Sequence, residues 1–297
     1  MKKILVRFFV FIALVLFSFI IFAHCIDFRK SNSQLTEFFS KNHQPHQIKY
    51  YKASNREIRY ISTGKENAAT ILFIHGAPSS SSYYLGYLSD KRLYTQAKLF
   101  AVDRPGYGFS GLGDPVYSIE KQAKMIKPIL DSLNKIHRPV ILVGTSYGTS
   151  IACKIVMDNP KLVDGLIVVA PALAPGEEKI YPISYPAQSP FINWIVPAML
   201  KSANAEKLHH KDELTAMLPD WYKIKIPVMY IQGAADELVY PSNANFARKK
   251  LINAPFLEIN MIKGKGHLIS FSEKETIVKS ILKMINICDK RLQSGKN

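Results

Sequence analysis

The sequence predicts an α/β fold, a mostly parallel sheet covered by helices on both faces, and three observations predict it. Short apolar runs at 70–74, 98–102, 140–143, 165–169, 228–231 and 256–262 have the length and β-branched content of buried parallel strands. Stretches of helical length and spacing lie between or after them, at 118–134, 147–158, 242–251 and 272–287. The composition allows it: 297 residues, 47% hydrophobic and 11% aromatic, can fill the core of one large α/β domain or two small ones.

The chain begins with an appendage. Lys2, Lys3 and Arg7 precede residues 8–23, where nothing is more polar than Ser18. A core helix needs a polar face to end on solvent, and this run has none, so it reads as a membrane or export signal. His24 makes Ala23-His24-Cys25 a poor cleavage site and spoils a lipidation signal before Cys25. Residues 1–26 are therefore read as an uncleaved anchor, with a cleaved signal peptide as the alternative. The basic end should stay in the cytoplasm and the rest of the chain be exported.

Residues 27–46 are polar, with Ser31, Asn32, Ser33, Asn42 and Pro45, and suit a linker between membrane and domain. The domain itself is expected over 47–290. It opens with strands at 47–53 and 57–62 that alternate around Ser54-Asn55-Arg56 as an antiparallel hairpin. The formal charge of +16 comes from 39 basic and 23 acidic residues spread along the chain. No nucleic-acid motif accompanies it, so the charge reads as a solvated surface suited to anionic lipid headgroups. Cys25, Cys153 and Cys288 have no metal-ligand spacing and imply no disulfide framework.

One interval is too long for a simple crossover. Residues 172–226 carry six prolines and the aromatics Tyr181, Tyr185, Phe191, Trp194 and Trp221, too much apolar surface for a disordered linker. Ile192, Ile195, Val196, Met199 and Leu200 recur at helical spacing, with a kink expected at Pro197. This insertion reads as a helical lid. Within it, His209-His210 reads as a solvated pair with no third ligand at metal spacing.

Chemistry concentrates at the carboxyl ends of the predicted strands. Val140-Ile141-Leu142-Val143 runs into Gly144-Thr145-Ser146-Tyr147-Gly148 and then a helix, a Gly-x-Ser-x-Gly elbow that lifts the serine above the sheet edge. Asp236 follows the strand at 228–231, and His267 sits on a Gly-rich loop after the strand at 256–262. The order is nucleophile, acid, base. A serine hydroxyl needs such a base, and the base needs a carboxylate to hold its tautomer. A fourth piece, His75-Gly76-Ala77-Pro78, follows the strand at 70–74 as a turn that exposes backbone N–H groups.

With these pieces the chain resembles the α/β-hydrolase superfamily, in particular its lid-bearing, esterase-like serine members. They share a His-Gly-x-Pro loop, an Asp-Arg-x-Gly-x-Gly-x-Ser loop (Asp103 to Ser110 here) and the serine elbow, and the likeness covers roughly residues 47–288. The resemblance implies Ser146 as nucleophile, Asp236 as acid, His267 as base, and the N–H groups of Ala77 and Tyr147 as oxyanion hole. It makes His75 a loop-shaping residue. A serine at the elbow argues against epoxide hydrolases and haloalkane dehalogenases, which use an aspartate there.

Gly106-Tyr107-Gly108-Phe109-Ser110-Gly111 also matches a dinucleotide fingerprint, but Leu112-Gly113-Asp114-Pro115 continues the loop where that site requires a helix. The expected reaction is hydrolysis of a carboxylic ester of a small acyl substrate, with no cofactor or metal. C–C bond, lactone or amide hydrolysis, or ligand binding without catalysis, are the alternatives. Trp194, Met199, Trp221 and Tyr222 are expected to form an apolar wall for the acyl group. His267 must be neutral to act, so activity should fall on acidification.

Overall fold

The computed structural model describes residues 28–133 and 138–295, with isolated positions 7, 11, 14 and 18 before them. The anchor expected over 1–26 lies outside the continuous part. Among the described residues no helix is long and apolar enough to cross a membrane.

The first element corrects the linker expectation. Helix α1 (Asn32–Lys41) starts on a capping box, in which the Ser31 side chain accepts from the Gln34 N–H and the Gln34 side chain reaches back to Ser31. Leu35 and Phe39 point inward from it and are fully buried. The polar composition of 27–46 describes only the outer face of this helix. Four residues apart, the two apolar side chains make one narrow stripe, which is enough to dock it on the sheet. Phe39→Ala should therefore cost about 3–5 kcal/mol in urea unfolding, and a near-neutral result would place α1 outside the cooperative unit.

Strands β1 (His46–Ala53) and β2 (Arg56–Gly64) form the expected antiparallel hairpin. Then follow β3 (Ala69–Ile74), β4 (Ala97–Val102), α2 (Ile119–Asp131), β5 (Val140–Thr145), α3 (Tyr147–Asp158) and β6 (Gly165–Val169). The lid contributes α4 (Ala198–Ala216), and the chain ends with β7 (Val228–Gly233), α5 (Asn243–Lys250), β8 (Leu257–Ile262) and α6 (Lys274–Gln293). The eight strands make one sheet in the order β1-β2-β4-β3-β5-β6-β7-β8. It is antiparallel at β1-β2-β4 and parallel from β4 to β8.

Period-2 alternation explains why the central strands are apolar throughout. On β5, Val140 and Leu142 pack with α2, α3 and α5, whereas Ile141 and Val143 pack with α1 and α6. The same split holds for Leu72 and Ile74 against Ile71 and Phe73 on β3. The parallel strands therefore present their carboxyl ends along one edge, and the loops leaving β3, β4, β5, β7 and β8 meet there. Ligands bind at this edge in open α/β sheets.

The lid is helical, as expected, but its long helix is not the predicted apolar stripe. The helix that begins after Pro197 is α4, and its buried face is Met199, Ser202, Glu206, His210 and Leu214. Steps of three and four residues put these side chains on one side. Three of the five are polar, which is why hydrophobic periodicity does not mark the helix. Residues 190–193 form a separate short helical turn.

Candidate active site

Ser146 sits at the corner between β5 and α3 with φ 51° and ψ −125°, a conformation that L-residues avoid at a cost of about 1–3 kcal/mol. The turn is possible because its neighbours lack side chains. A Cβ on Gly148 would strike the carbonyl oxygens of Ile74 and His75, and one on Gly144 would lie 2.7 Å from the Gly148 oxygen. The close passage of β3, β5 and α3 thus depends on both elbow glycines, as the motif implies.

The three separated residues converge. His267 Nε2 lies 3.0 Å from Ser146 Oγ, and His267 Nδ1 lies 2.8 Å from Asp236 Oδ2. The other carboxylate oxygen, Oδ1, accepts the N–H groups of Leu238 at 3.0 Å and Val239 at 2.9 Å. Burial would raise the Asp236 pKa, but the His267 hydrogen bond and charge, with the two N–H donors, outweigh it and hold the carboxyl below its usual value. Asp236 therefore stays ionised and can pair with an imidazolium. Serine, imidazole and carboxylate in this order form the constellation of nucleophilic acyl transfer.

The loop after β3 lies against Ser146, since a Cβ on Gly76 would come within 3.0 Å of Ser146 Cβ. Neither the Ala77 nor the Tyr147 N–H is bonded to an acceptor among the described residues. His75 is fully buried, and its nitrogens are used structurally. The Arg104 N–H donates to Nε2 at 3.0 Å, which leaves Nδ1 to donate to the Gly76 carbonyl at 2.7 Å. Burial and the Arg104 charge hold the His75 pKa well below that of free histidine. It shapes the loop and is no base.

The residues expected to form the substrate wall lie in different surroundings and not in one wall. Met199 is buried on α4, but Trp194 is 71% exposed. Trp221 packs edge-on against Phe246 in the core, and its neighbour Asp220 pairs with Lys154 on α3. Eight residues along a helix is about 12 Å, so Trp221 and the exposed Tyr222 stand near the far end of α3 from Ser146. Their apolar character reflects core packing and surface, not a pocket over the serine. Gly106 to Gly111 stay in a loop, and the next helix starts only at Ile119, so the dinucleotide fingerprint has no helix to open.

The reading of His209-His210 as solvated also changes. His210 is fully buried, with Nδ1 2.7 Å from Glu178 Oε1 and Nε2 3.0 Å from Ser150 Oγ. The Ser150 hydroxyl donates to the Ala172 carbonyl at 2.8 Å, so it accepts from His210. Burial opposes the Glu178 charge, but His210 and Lys207 outweigh it and lower its pKa to about 2. The half-buried His209 stacks on Tyr117 at 4.0 Å. No group among the described residues could hold a metal ion. The sequence offers no signal for these contacts of His209 and His210, because each joins residues more than 30 positions apart in the chain.

Residues 71–276 match the model of the alpha/beta hydrolase family. Among curated proteins, the chain is 28% identical over 211 residues to monoacylglycerol lipase abhd6-B of Xenopus laevis, covering 68% of this chain and 58% of that protein. It is 27% identical over 246 residues to human monoacylglycerol lipase ABHD6, covering 80% and 67%. The chain thus spans less than two thirds of the length of the Xenopus relative. Among solved structures, a bacterial membrane phospholipase A superposes with a TM-score of 0.64 at 18% identity, covering 97% of this chain and 99% of that one. With the sheet order, the elbow and a family match over most of its length, the chain belongs to the alpha/beta hydrolase family.

Proposed function

We propose that this protein is a membrane-anchored serine hydrolase that cleaves carboxylic esters with an apolar acyl group through an acyl-enzyme. The observation that carries the reading is the hydrogen-bonded chain from Ser146 through His267 to Asp236 on a strained elbow. Ser146 Oγ attacks the ester carbonyl carbon while His267 Nε2 takes its proton. The Ala77 and Tyr147 N–H groups receive the oxyanion, and His267 returns the proton to the leaving alkoxide. Water then repeats the sequence on the acyl-enzyme, with Asp236 steadying the imidazolium in both halves.

The apolar substrate class is supported by relatives described as monoacylglycerol lipases and by the lid, which exposes Phe191 at 88% and Trp194 at 71%. The anchor is supported by the basic-then-apolar start of the sequence. Ser80 Oγ donates to the Phe28 carbonyl at 2.8 Å, and Arg29 Nη1 donates to the Gly108 carbonyl at 2.9 Å. The anchor would therefore join the domain at the edge that carries the triad, and the mouth of the site would lie close to the membrane.

A panel of p-nitrophenyl esters, lactones, amides and vinylogous diketones, offered to the full-length protein without metal or nucleotide, tests the reaction. Short to medium acyl esters should turn over. Turnover of diketones alone would assign C–C hydrolysis, and tight binding with no turnover would remove the enzyme reading. In fractionated cells the full-length chain should stay with membranes, its domain open to protease from outside, and a soluble cytoplasmic chain would refute the anchor.

A further inference from the structure

The lid reaches the catalytic loop through a buried ion pair. Arg104, which follows β4, and Glu206, on α4, are both about fully buried. The Glu206 carboxylate accepts Arg104 Nη1 at 2.6 Å and Nη2 at 3.0 Å, Tyr107 Oη at 2.6 Å and Gln122 Nε2 at 2.6 Å. Arg104 Nη1 also donates to Gln122 Oε1 at 2.8 Å, and its guanidinium lies 4.5 Å from the Tyr107 ring centre. Burying two charges costs desolvation that well-packed apolar side chains would not, so stability alone is a poor account of this cluster.

Its geometry points to another account. The Nη2 that holds Glu206 also donates to the Gly76 carbonyl at 2.9 Å, the oxygen that accepts from His75 Nδ1 at 2.7 Å. That carbonyl and the Ala77 N–H belong to one planar trans peptide and point in opposite directions. Two donors on the oxygen therefore fix the rotation of the peptide and the direction of the N–H. Glu206 fixes the guanidinium in turn.

We propose that Glu206 is a positioning residue which, through Arg104 and the Gly76 carbonyl, aims the Ala77 N–H, so that the oxyanion hole is complete only when the lid helix is seated. The inference rests on the serine-hydrolase reading and adds a role for the lid. Displacing α4 withdraws the carboxylate and leaves Arg104 a buried charge with no counter-ion. The Gly76 peptide is then held by His75 alone and can rotate, which takes one donor from the transition state.

Glu206→Gln keeps the shape and removes the charge. The loss of one oxyanion donor costs about 10²- to 10³-fold in rate. A loosened donor should therefore lower kcat, per site titrated with a fluorophosphonate, by about 10- to 100-fold, while KM changes by less than about threefold. The discriminating readout is a trifluoromethyl ketone analogue of the best ester. Ser146 Oγ adds to its carbonyl carbon, the serine proton passes to His267 Nε2, and the carbonyl oxygen becomes the oxyanion. Its inhibition constant should rise in parallel with the loss of kcat/KM, whereas the inhibition constant of the matching secondary alcohol, which forms no oxyanion, should hold.

A purely structural role would lower the number of titratable sites and leave the affinity per site alone. Folded Glu206→Gln with unchanged kcat and ketone affinity per site would overturn the proposal. If that variant does not fold, Tyr107→Phe decides: it removes one of the four bonds to the carboxylate and should shift both readouts a fewfold in the same direction, with no shift counting against the proposal. Wild-type protein that neither turns over an ester nor reacts with the fluorophosphonate would instead fail the serine-hydrolase reading.

Discussion

Ser146→Ala should abolish ester turnover, lowering kcat by about 10⁴-fold or more, and should abolish labelling by a fluorophosphonate. Of the three hydroxyls on the elbow, that of Ser146 has His267 Nε2 3.0 Å away, whereas Thr145 Oγ1 accepts from Tyr84 and Tyr147 Oη donates to the Tyr117 carbonyl. Alanine keeps a Cβ at φ 51°, so the strain of the elbow remains and the backbone should not relax. Only the hydrogen bond to His267 is lost, which limits the change in stability to about 1 kcal/mol. A folded variant that still takes the label at the wild-type rate would end the assignment of the nucleophile.

Asp236→Asn should lower kcat by about 10³- to 10⁴-fold in a protein whose fold is intact, and the neighbours of the carboxylate say why. Oδ1 accepts the Leu238 and Val239 N–H groups, and an asparagine would keep its oxygen there. Its amide NH₂ would then face His267 Nδ1, which would have to accept. The imidazole proton would move to Nε2, the nitrogen that must take the serine proton, and the base would be lost. In the native protein the Asp236 pKa is lowered, so its contribution to stability is present above 3.8, the ordinary aspartate value, and is lost only as pH falls through the lower native value. Asp236 should therefore stay ionised across the pH range in which the enzyme is assayed, so that Asp236→Asn removes a charge the native protein always carries there. An asparagine variant with wild-type kcat and pH profile would show that Asp236 does not orient the base.

All eight strands were legible in the sequence, the central parallel ones because burial on both faces needs unbroken apolar runs and the first two because they alternate as an antiparallel hairpin. The elbow was legible for a similar reason: Gly144 and Gly148 are required by backbone contacts that hold wherever strand and helix pass this closely. Ser146, Asp236 and His267 could be selected because each lies on the turn or loop that leaves the carboxyl end of a strand. Their meeting within hydrogen-bond distance could not be read from spacing, since 121 residues separate Ser146 from His267.

The tertiary structure alone decided where polar residues turn inward. Leu35 and Phe39 are a stripe too narrow to announce a helix, yet the sheet's open face buries both. Trp221 looked like substrate wall because apolar surface has no address in a sequence, and packing against Phe246 gave it one. Helix α4 hides Ser202, Glu206 and His210, polar residues that hydropathy assigns to solvent. A buried carboxylate is stable only when its partners are assembled, and for Glu206 they come from Arg104, Tyr107 and Gln122, about a hundred residues earlier in the chain. Local sequence therefore determined the sheet, the elbow and the three side chains, Ser146, Asp236 and His267, that meet at its edge. Long-range pairing of charges and donors decided how the lid is held and what it touches.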